Sequence, residues 1–136
     1  MNFVHTRVSG DLDDDQLERH VQAMNTEAAT RNALLELADC RDLKNVDRLN
    51  VTGAISAATL EQGQPRTIGG RLAILVPDNP VIFGLARAYA SIACLHRETA
   101  HVCQDLREAL ESLGLQGAEM EDAFRFIDSG DPVVSA

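Results

Sequence analysis

Residues 70–96 read GRLAILVPDNPVIFGLARAYASIACLH, and this stretch sets the fold class. Leu72 to Val76 is an unbroken apolar run, the right length for a strand buried on both faces. Asp78-Asn79-Pro80 then supplies a turn, a capping side chain and a proline suited to the first helical position. From Val81 to Leu95 the only charge is Arg87, so the helix that follows is apolar around most of its circumference. A buried strand feeding a buried helix is the central unit of an α/β domain.

Working outward, the flanks repeat that unit. Phe3–Ser9 alternates, with Val4, Thr6 and Val8 on one face, which predicts a strand near a sheet edge that ends at Gly10. Asp13 and Gln16 have capping-box spacing, Leu12 and Leu17 can staple the helix start, and Leu17, Val21, Met24 and Ala28 form its stripe. Residues 33–38 predict a second strand, with Glu36 implying one partly covered face. A second helix is expected from about Val46 to Gln62, with Val51, Ala54, Ile55 and Ala58 facing inward. Gly53 costs about 1 kcal/mol inside a helix, which points to close packing there. Residues 61–70 have the composition of a flexible loop. Thr99–Cys103 predicts a fourth strand, and Asp105, Glu108 and Gly114 bracket a short helix. The alternation means an α/β fold: a four-unit βα superhelix with a mainly parallel four-stranded sheet and helices mainly on one face. Residues 1–114 form the domain, and 115–136 an acidic extension with a helix over Gly117–Ile127 and a disordered tail. Met120, Phe124 and Ile127 give that helix an apolar stripe, expected to cover the other sheet face or a neighbouring subunit.

Composition narrows the function. The net charge of −9, from 12 basic and 21 acidic residues, argues against nucleic acid and anionic bilayers as partners. With no Trp and one Tyr, base-stacking platforms are poorly supplied. Cys40, Cys94 and Cys103 are odd in number and lack CxxC spacing, so they read as reduced thiols in a cytoplasmic protein. No signal peptide or membrane-spanning run is expected.

The tests for chemistry are mostly negative. His5, His20, His96 and His101 form no metal-binding spacing, and His101 with Cys103 on one strand face is the nearest approach to a pair. Neither a GxSxG elbow nor a phosphate loop is present. Asp13-Asp14-Asp15 reads as a solvated helix start. Asp39-Cys40-Arg41 ends the second strand, where α/β folds place ligands, and Arg41 beside Cys40 can lower a thiol pKa, so this loop is a candidate site. An ordinary turn with an ion pair is the competing account.

The order of segments resembles the SpoIIAA-like family of the STAS superfamily. The resemblance is carried by RLAILVP, then Phe83-Gly84-Leu85-Ala86-Arg87-Ala88-Tyr89, and then Asp105-Leu106-Arg107-Glu108-Ala109-Leu110, over about Phe3 to Leu113. It implies strands adjacent in sequence order, no catalysis, no cofactor, and partner binding or carriage of apolar ligands. Family members have a strand before the one matching Phe3–Ser9, so an open sheet edge is expected here. The position matching the antagonists' phosphorylated Ser is Asp47-Arg48, so phospho-switching there is not expected. Thr52 is the only hydroxyl in residues 45–52.

Two functions compete. In the first, the third helix covers a small, fatty-acid-like ligand in a groove against the second helix. Gly53, Ala54 and Ala57 line it, the turn around Phe83 and Gly84 opens it, Tyr89 contributes an apolar body with a polar tip, and Arg87 orients an acidic head group. In the second, the apolar helix is held against a protein partner or a second copy in a homodimer. An enzyme using Cys40 ranks behind both. No metal and no stable membrane insertion are expected.

Overall fold

The computed structural model describes residues 3–26, 35–62, 70–128 and 134–135. In chain order the elements are β1 (Phe3–Arg7), β2 (Gly10–Asp11), α1 (Asp14–Thr26), β3 (Leu35–Asp39), β4 (Leu43–Asn45), α2 (Val51–Gln62), β5 (Arg71–Leu75), α3 (Pro80–Ala93), β6 (Thr99–Cys103), α4 (Leu106–Ser112), α5 (Ala118–Asp128) and β7 (Val134–Ser135). The main sheet has the order β6-β5-β3-β1-β7, and every pairing in it is parallel. Its four longer strands stand side by side in sequence order, as the alternation of elements predicts.

β5 divides its side chains between two cores. Leu72, Ile74 and Val76 enter one, with Ile82, Leu85, Ala90 and Ala93 of α3. Ala73 and Leu75 enter the other, with Leu37, Ala109, Leu110, Leu113, Met120 and Ile127. A strand's period of two makes this division automatic once both faces are covered. On the first face α2 packs against both α1 and α3. On the second face lie α4 and α5, so the extension does cover the remaining face of the sheet.

Local chemistry fixes the helix ends. Asp13 and Gln16 exchange backbone-to-side-chain hydrogen bonds at 2.8 and 3.0 Å, a complete capping box. Asn79 Oδ1 accepts from the amides of Val81 and Ile82, and Asp105 from that of Glu108. Gly114, at φ +86°, ends α4, and the amides of Gly114 and Leu115 return to the carbonyls of Glu111 and Leu110.

Several boundaries differ from expectation. α2 starts at Val51 rather than Val46, because Asn50 caps it through the Gly53 amide at 2.8 Å. Residues 43–45, ahead of the expected helix, form a strand the sequence did not suggest, β4, paired with β2. The buried stripe of α2 is Ala54, Ala57, Ala58 and Glu61, so Val51 and Ile55 face outward, 52% and 38% exposed. Glu36 is buried, not on a half-covered face. Leu35 begins β3, and residues 33 and 34 lie outside the described residues, as do 63–69 of the loop expected to be flexible. Within the tail expected to be disordered, Val134 and Ser135 run parallel to Thr6 and Arg7 on the β1 edge expected to stand open. The rest of that tail lies outside the described residues.

Gly53 accounts for itself. A Cβ there would fall 2.0 Å from Oδ1 of Asp14, which also accepts the Asn50 amide at 3.2 Å. Once Asp14→Ala has removed the obstacle, adding Gly53→Ala should stabilise the protein by about 1 kcal/mol through helix propensity alone. In the wild-type background the same substitution should gain less or destabilise. Urea unfolding of the four proteins measures the difference.

Candidate functional site

A cavity of about 90 Å³ lies between the sheet and helices α1, α2 and α3. Small side chains make it: Ala38 on β3, Ala54 on α2 and Ala86 on α3 all line it. Ala38 has a hydrogen-bonded strand on each side yet is only partly buried, because the cavity lies over it. Most of the lining is aliphatic. His20, Glu36, Cys40 and Tyr89 bring polar atoms, and among the described residues no Lys or Arg lines it.

The expected ligand residues separate in space. Ala54 and Tyr89 line the cavity. Gly53 and Ala57 belong instead to a polar groove with Asp14, Glu18 and Ser56 on the outer side of α1 and α2. Phe83 is half-buried against the first core. Gly84 is exposed, and Arg87 is exposed with its guanidinium 6.0 Å from the Phe83 ring centroid. Arg87 therefore stands outside the cavity and cannot orient a head group within it.

Beside the cavity is a buried ion cluster that the sequence reading did not assemble. Arg97, in the loop after α3, donates to Glu36 Oε1 at 2.9 Å, and to Glu61 Oε1 at 2.6 Å and Oε2 at 3.1 Å. His96 Nε2 lies 2.6 Å from Glu61 Oε2, and the Tyr89 hydroxyl donates to Glu61 Oε1 at 2.8 Å. Burial alone would lower the guanidinium pKa, but the carboxylates of Glu36 and Glu61 more than offset it and hold it above its ordinary value. One signal was present in the sequence: Glu61 continues the inward stripe of α2, and a charge in that position needs a partner.

At the carboxyl ends of β1 and β3, Asp39 Oδ2 is 3.1 Å from His5 Nε2, and Arg41 donates to both Asp39 oxygens at 2.9 and 2.8 Å. The loop site is thus occupied by its own ion pair. Arg41 does not activate Cys40. Burial, and after it the Asp39 carboxylate, push the thiol up to about 12, where it is protonated at neutral pH. Burial alone would raise the Asp39 carboxyl too, but hydrogen bonds from His5 and Arg41 outweigh it and hold the carboxyl well below the usual carboxylate range.

That depression has a sign. A carboxyl lowered in the folded state stabilises above its unfolded range, near pH 4, and loses that contribution as pH falls further. Between pH 4 and 2 the wild type should lose about 2 kcal/mol more than Asp39→Asn does. Urea midpoints measured across that interval check it, and parallel profiles would count against it.

His101 is exposed and Cys103 buried, so they form no shared site. Among the described residues, no three His, Cys, Asp or Glu side chains gather as a metal site, and no helix is long and apolar enough to cross a membrane. Comparison with family models, curated proteins and solved structures finds no match to this chain. The resemblance to the SpoIIAA-like family therefore has no matched protein behind it.

Proposed function

We propose that the chain is a non-enzymatic binding domain that holds a small, neutral, apolar ligand beneath α1, α2 and α3. The observation that carries this reading is the cavity over Ala38, apolar along most of its wall and lying against the central strands. The protonated state of Cys40 supports a role without covalent catalysis. The strand order is the one that SpoIIAA-like membership implies and supports keeping that family within the proposal.

Size and charge narrow the ligand. At about 90 Å³ the cavity is smaller than the roughly 150 Å³ apolar site that accepts benzene, and far below the roughly 300 Å³ at which drug-sized pockets begin. A ring or a short chain suits it, and a longer one requires the covering segments to move. Arg97 is the nearest buried cation described, and two carboxylates already hold it. A fatty-acid carboxylate would lack its counter-charge, so a neutral head group fits better.

Titration with toluene and with neutral alkanols of increasing length, followed by chemical shifts of the lining methyl groups, tests the reading. Ala54→Leu, which fills the space, should abolish saturable shifts and raise stability by about 1 kcal/mol through added burial. If the wild type shows no saturable binding, the cavity reading fails. The interaction-module reading then takes its place, on the strength of Val51, Val81 and Leu95, each more than half exposed.

A further inference from the structure

The roof of the cavity is a separate piece of structure. Among the described residues β2 and β4 pair only with each other, through Gly10 with Leu43 and Asp11 with Asn45, and the register shifts between the two rungs. Leu12, Leu43, Val46 and Leu49, which belong to or follow these strands, all line the cavity. We infer that this strap is the gate of the cavity: residues 10–12 and 42–49 part from each other, breaking their short ladder, to admit the ligand. The inference rests on the binding reading above.

Three features carry it. A two-stranded ladder is marginal by itself, so the strap is held down mainly by the aliphatic side chains it dips into the cavity. A ligand in the cavity offers those side chains substitute contacts. Next, Gly10 sits at φ +74° where the strap leaves β1, and beyond its chain neighbours no heavy atom of the described residues lies within 4 Å of the place a Cβ would occupy. This joint turns without a clash. The capping box at Asp13 fixes the far end of that segment, and the Arg41–Asp39 fork pins the root of the other.

Two other sides of the cavity are tied. The first turn of α3, expected from the sequence to open around Phe83, begins with Pro80 and has two amides capped by Asn79. At Glu36 and Tyr89 the wall is bound into the Arg97 cluster. Movable roofs on rigid scaffolds are a common way of admitting ligands, and they are drawn from the least stable segments.

A reversible cross-link tests the gate. Asp11→Cys with Asn45→Cys, in a Cys94→Ser background, joins the two strands at a paired position when oxidised and frees them when reduced. Toluene exchange is measured on both forms by NMR. Oxidation should slow entry and release together by about tenfold, with Kd shifting by less than about threefold. Unchanged rates with binding intact overturn the gate and leave the cavity reading standing. No saturable toluene binding in the reduced protein overturns the cavity reading and the gate with it. Amide hydrogen exchange gives a readout without ligand. The hydrogen-bonded amides of Gly10, Leu12 and Leu43 should exchange through local opening, well ahead of the core amides of β3 and β5. Equal protection overturns the proposal.

Discussion

A chain ending at Gly114 should lose its cooperative thermal transition. The segment removed carries Leu115, Met120, Ala123 and Ile127, none more than 4% exposed. They cover Leu37, Ala73 and Leu75, which have no accessible surface in the intact chain. Fully burying a large apolar side chain contributes about 1.5–3 kcal/mol, so Leu115, Met120 and Ile127 together account for roughly 5–9 kcal/mol as an upper estimate. That is comparable to the entire stability of a typical domain, roughly 5–15 kcal/mol. The truncation also removes the Ile127 carbonyl, which accepts from Arg7 at 3.5 Å. Calorimetry of the two chains decides the matter, and an unchanged melting temperature would show that the second core does not need α5.

The legibility of this cover came from spacing. Met120, Phe124 and Ile127 recur at helical intervals, and a sheet with most of its helices on one face needs something on the other. The central unit was legible for a similar reason. An unbroken run such as Leu72–Val76 has few stable settings other than a strand between two cores. What escaped were features set by partners distant in the chain. β2 and β4 are too short to show a period, and neither exists without the other. α2 carries apolar residues on more than one face, so Val51 and Ile55 were indistinguishable from Ala54 and Ala58 until Glu61 was seen to point inward. Glu36 looked like a sign of solvent because Arg97, its partner, lies 61 positions away. The candidate site followed the same rule. Ala54 and Tyr89 were found as small and amphipathic residues on neighbouring helices. The cavity itself depends on strap residues that no local pattern connects to them.

Arg97→Ala should be the most damaging single substitution among the charged residues. The side chain is 7% exposed, and its guanidinium spans Glu36 on β3 and Glu61 on α2, themselves 6% and 2% exposed. Truncating it leaves two buried carboxylates short of their shared cation, and breaking a buried pair this way costs about 3–5 kcal/mol. Arg97→Lys keeps the charge but not the planar fork, so it should fall between the two. Adding Glu61→Gln to Arg97→Ala removes one of the stranded charges and should recover part of the loss. That recovery separates this account from a simple packing defect. Urea unfolding of the wild type, the single variants and the double variant reads the effect. A deficit that Glu61→Gln does not reduce would mean that the cost lies in lost packing around the long Arg97 stem and not in stranded charge.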